Sequence, residues 1–137
     1  MNAVALQHST DIENIIPKDD VVTERYNHII TRFDPEFGIV WCYWNPQPRA
    51  CFTPELIREI YKFQKAMEVK IKNNIKYNGS SPIEYIVFTS NIPGVYSFGG
   101  DLDIFVKAIR DNDRETLKSY IKSCFDILYW PISHNLP

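Results

Sequence analysis

The segment "TPELIREIYKFQKAMEVKI", residues 53–71, constrains the fold of this chain more than any other. Leu56, Ile60, Phe63, Met67 and Ile71 recur at intervals of 4, 3, 4 and 4. That spacing is the apolar stripe of an amphipathic helix, with Lys62, Lys65 and Lys72 on the solvent side. Thr53 supplies an N-cap, Pro54 suits the first helical position, and Glu55 complements the positive helix end. The pattern predicts a helix ending near Asn73 or Asn74, before the break "YNGSSP". A helix with such a stripe needs an apolar surface to cover.

The flanking runs supply that surface. "YNHIITRF" and "GIVWCYW" are β-rich and are separated by "DPEFG", where Asp34-Pro35 opens a turn and Gly38 closes it. They predict a hairpin. "IEYIVFTS", after the helix, is apolar and β-branched and predicts a buried strand. Beyond it, Leu102, Phe105 and Ile109 mark a short helix. Asp113 caps another, whose stripe is Leu117, Tyr120, Ile121, Cys124, Ile127 and Leu128. The expected order is strand, strand, helix, strand, glycine turn, helix, helix, which is an α/β arrangement with a helical crossover. Residues 1–24 lack a clear period and are expected to form a loosely ordered arm, leaving 25–137 as the folded domain.

Charge and cysteine usage narrow the function classes. A net charge of −2 among 137 residues gives no basic footprint for nucleic acid or an anionic membrane. The longest apolar stretch, "IVWCYW", is far below the ~20 residues that span a bilayer. The N-terminus has no basic n-region of a secretory signal. Cys42, Cys51 and Cys124 are odd in number and include no CxxC, which suits buried thiols in a reducing, cytoplasmic compartment. His8, His28 and His134 have no metal-ligand spacing, so no metal is expected. Cys51 precedes a helix start that could lower its pKa, but no histidine has an evident reason to lie beside it. It is read as a small buried hydrophobe.

Gly99 and Gly100 stand side by side in "SFGGDL", just ahead of a helix, in a chain with five glycines. One account is a tight strand-to-helix connection, with a glycine at positive φ and Asp101 as N-cap. The other uses the same geometry: a backbone N–H at Gly100, free of a Cβ, can approach a ligand carbonyl and stabilise charge building on its oxygen. There is no GxGxxG after the first strand and no GxxxxGK[ST].

Two blocks in order, "PRACFTPELI" and "GGDLDIFVKAIRDNDRETLKSY", followed by "YWPISH", resemble the enoyl-CoA hydratase/isomerase (crotonase) superfamily. The likeness is nearest to its diffusible-signal-factor synthase branch and runs from about Arg25 to the end. It implies the N-terminal half of a spiral of ββα units that handles an acyl thioester, carried on coenzyme A or an acyl carrier protein, with no other cofactor. Full-length relatives dehydrate 3-hydroxyacyl thioesters to unsaturated fatty acid signals and commonly form trimers. The resemblance places the first oxyanion-hole N–H at Gly100, beside Gly99. Arg49, Ala50, Cys51 and Phe52 match the loop that holds the pantetheine and nucleotide end, and Phe98 and Leu102 flank the acyl group. From the residues alone, Arg49 is equally a solvated loop cation and Phe52 equally a core staple onto the next helix.

Relatives continue past "YWPISHNLP" into a glycine-rich turn with the second donor and into glutamates for acid–base work. The sequence here ends at that point, so a truncated member without turnover is expected. A non-catalytic remnant that binds an acyl carrier, or assembles with a full-length partner, is the alternative. The glutamates at 13, 24, 36, 55, 59, 68, 84 and 115 read as surface charge. Asp101, as a capping anion, is a poor proton donor. Asp103 has only a solvated-face role.

Overall fold

The computed structural model of the protein describes residues 24–134. The expected N-terminal arm, apart from Glu24, lies outside the described residues. The elements are β1 (Ile29–Asp34), β2 (Ile39–Trp44), α1 (Pro54–Asn78), β3 (Tyr85–Ser90), α2 (Leu102–Arg110) and α3 (Arg114–Ser133). Their order is the one expected from the sequence. They form a mixed α/β fold with a three-stranded sheet ordered β1-β2-β3.

β1 and β2 pair antiparallel from Ile29↔Trp44 to Asp34↔Ile39, across a turn in which Gly38 takes φ 63°. β2 and β3 pair parallel from Ile39↔Tyr85 to Trp44↔Ser90, with α1 as the crossover. Alternation along β2 sends Val40, Cys42 and Trp44 into the core and leaves Ile39, Trp41 and Tyr43 half-buried on the other face. Burial pushes the Cys42 thiol pKa up to about 12.

α1 starts as its sequence dictates: Leu56 N–H donates to the Thr53 hydroxyl at 3.2 Å, with Pro54 following the cap. All five stripe residues are buried, Phe63 and Met67 completely, while Lys62, Lys65 and Lys72 are exposed. Each buried side chain of this size contributes roughly 1.5–3 kcal/mol. The helix runs one turn beyond the expected end. Gly79 (φ 77°) closes it by donating to the Ile75 carbonyl at 2.9 Å. That extra turn has Ile75 and Tyr77 exposed, so it carries no inward stripe to announce it. Glu59 is more than surface charge: its carboxylate accepts from the Asn27 and His28 N–H groups at 2.9 and 2.6 Å and fixes the approach to β1.

Two expectations need correction. β3 is not fully buried: Tyr85 is exposed and the rest of the strand is half-buried. Among the described residues β2 is its only neighbour, so here an apolar run marks an edge strand of the described sheet. On α3 the buried positions are Tyr120, Ile127 and Trp130, with Leu117 and Cys124 half-buried. Ile121 and Leu128 are exposed, because α3 meets α1 along one narrow side. The helix continues through Pro131 to Ser133.

Candidate functional site

The two blocks that stand apart in sequence lie side by side. Phe52 and Gly100 form a parallel bridge. Phe52 N–H donates to the Gly99 carbonyl at 2.8 Å, and Phe98 N–H donates to the Ala50 carbonyl at 2.7 Å. The loop after β2 is therefore laced to the segment after β3. Between them opens a cleft of about 620 Å³. Arg49, Ala50, Cys51, Phe98, Gly100 and Leu102 all line it. The loop includes a cis peptide between Gln47 and Pro48. Phe98 and Leu102 are 76% and 73% exposed, so this apolar rim has no cover among the described residues. Phe52 does not line the cleft. It packs edge-on against Trp44 of β2, 4.9 Å between ring centroids.

The paired glycines have separate reasons. Gly99 takes φ 87°, a conformation that L side chains rarely adopt, and a Cβ there would meet nothing within 4 Å. At Gly100 a Cβ would stand 3.1 Å from Phe105 Cε2 and 3.6 Å from the Tyr120 hydroxyl. The missing side chain thus spares a tight approach to Phe105 and Tyr120. Gly100 itself is exposed, and none of the described residues accepts a hydrogen bond from its N–H. It is a backbone donor at the cleft without an internal partner.

Asp101 caps α2, accepting from the Asp103 N–H at 3.1 Å, and is 5% exposed. The same carboxylate oxygen accepts from Arg49 Nη2 at 2.9 Å, while Arg49 Nη1 contacts Asp103. Arg49 thus bridges the loop to the start of α2. Asp103, given only a solvated-face role by the sequence, is its outer partner.

Tyr120 is the residue sequence reasoning missed. Its hydroxyl donates to the Phe52 carbonyl at 2.6 Å and accepts from the Asp101 N–H at 2.7 Å. One phenol from α3 thereby joins both walls of the cleft. Burial raises its pKa to about 12. The signal was present: a tyrosine on an inward helical stripe needs a partner for its hydroxyl. Burial also raises the Cys51 pKa, with Asp101 nearby adding to the effect, which makes a poor nucleophile of this thiol.

Among the described residues lining the cleft, Asp101 and Asp103 are the only carboxylates, and both pair with Arg49. Among the described residues no group of three or more histidine, cysteine, aspartate or glutamate side chains is placed to hold a metal ion. None of the described helices is long and apolar enough to cross a membrane. No protein-family model matches this sequence, and no curated protein matches it either.

Proposed function

We propose that the chain is the thioester-binding half of a crotonase-like fold, nearest to the diffusible-signal-factor synthase branch. In this reading the cleft takes an acyl thioester borne by coenzyme A or an acyl carrier protein. The observation that carries it is the lacing of Ala50 and Phe52 to Phe98 and Gly99, which leaves the Gly100 N–H exposed and unpaired at the cleft. A thioester carbonyl accepting from that N–H would be polarised, and the donor would stabilise negative charge growing on its oxygen. Phe98 and Leu102 would cover the acyl chain. Arg49 would face the polar end of the carrier.

The geometry supports binding more than turnover by this chain alone. Moving a proton to or from the acyl carbons needs a positioned acid or base, and the two carboxylates among the described lining residues are both paired with Arg49 in the unliganded protein. The reading is tested by titrating the purified protein with an acyl thioester while following the Gly100 amide by NMR. A selective shift of that amide on binding, weakened affinity in Gly100→Pro, and no hydratase or dehydratase turnover are expected. A folded Gly100→Pro variant that binds as well as the parent would overturn the donor assignment.

A further inference from the structure

Arg49 is held at two points that differ sharply in environment. The inner partner, Asp101, has a side chain 7% exposed and is fixed as the α2 cap. The outer partner, Asp103, has a side chain 73% exposed, and the Arg49 side chain is 46% exposed. An exposed ion pair of this kind is weak, because water solvates both charges nearly as well as they satisfy each other. A guanidinium presents several donors in a rigid fork and can keep one carboxylate while changing the other. All three side chains line the same cleft, so two negative charges there face one positive charge.

We infer that Asp103 is a specificity determinant of the cleft, acting as an internal anion that a ligand's phosphate must displace from Arg49 Nη1. Asp101 keeps the guanidinium in place through Nη2 during the exchange, so no large movement of the loop is required. In the resting protein Asp103 disfavours a polyanionic carrier end and leaves binding of a neutral pantetheine arm unaffected. The inference rests on the thioester reading of the cleft and identifies which part of the ligand this one side chain weighs.

The test compares two probes with the same acyl chain: an acyl-coenzyme A, which is polyanionic, and the neutral S-acyl pantetheine. Affinities are measured by calorimetry for the parent, Asp103→Asn and Asp126→Asn. The last removes a charge of the same sign from an ion pair on α3, away from the cleft. Asp103→Asn is expected to tighten the coenzyme A thioester by about threefold to fivefold and leave the neutral thioester unchanged. Asp126→Asn should change neither. The gain should shrink in high salt, where charges this exposed are screened. Equal changes for both probes, or none, would overturn the inference while leaving the thioester reading intact. If neither probe binds any variant, it is the thioester reading that fails. Arg49 exchange is then followed by side-chain NMR with inorganic pyrophosphate. Signals that respond no more in Asp103→Asn than in the parent would sink the inference too.

Discussion

Gln64 on α1 donates through Nε2 to the Ile127 carbonyl on α3 at 2.7 Å, and Ile127 is the residue four before Pro131. In an uninterrupted helix that carbonyl would accept the N–H of residue 131, which proline lacks. A side chain from another helix thus satisfies the carbonyl that the proline leaves unpaired. Gln64 is 1% exposed, so the bond is made in a site with little access to water.

This relationship predicts coupling. Gln64→Leu should destabilise the protein by about 1–3 kcal/mol, because the Ile127 carbonyl loses its partner in a buried site. In a Pro131→Ala background the new N–H supplies the helix bond, and the same substitution should cost much less. A double-mutant cycle by urea denaturation measures the difference. Additive effects would show that the two residues are not linked through Ile127.

Phe63 has 0% exposure and is packed edge-on by Tyr26 and Phe88, at centroid distances of 6.5 and 6.1 Å. Phe63→Ala should cost about 3–5 kcal/mol. Lys62→Ala, one residue earlier and exposed, should cost no more than about 1 kcal/mol. Equal losses in denaturation midpoint for the two variants would contradict the inward stripe.

Tyr120→Phe keeps the ring but removes the hydroxyl shared by the Phe52 carbonyl and the Asp101 N–H. About 1–3 kcal/mol of stability should be lost. The Asp101 amide should also exchange hydrogen faster than in the parent. Unchanged exchange at that amide would mean that the phenol does not hold the cleft walls together.

Glu68 accepts from Lys72 at 2.6 Å and from Lys65 at 3.2 Å, and these bonds lower its pKa from 4.5 to about 2. A depressed carboxylate pKa means that the unfolded chain binds the proton more readily than the folded one. The contribution is therefore complete above pH 4.5 and is lost as pH falls toward 2. Glu68→Gln should be less stable than the parent at neutral pH, with the gap closing across that window. Denaturation curves at pH 7 and pH 3 check it; a gap that widens on acidification has the wrong sign.

Local chemistry made much of this fold legible. The α1 stripe, the Thr53, Asp101 and Asp113 caps, the Gly38 turn and the order of elements all depend on residues within a few positions of one another. Backbone hydrogen bonding and side-chain periodicity act over that range. The glycine pair was legible as a turn, since Gly99 needs its positive φ whatever surrounds it. The close approach of Phe105 and Tyr120 to Gly100 was not, because they reach it only after α2 and α3 have packed. The edge position of β3, the exposed side of α3 and the passage of that helix through Pro131 were likewise set by which surfaces meet. So was the cleft: Arg49 finds Asp101 across 52 residues of chain, and Tyr120 finds Phe52 across 68. Contacts over such separations leave no period in the sequence, since they form only when packed elements bring distant side chains within bonding distance.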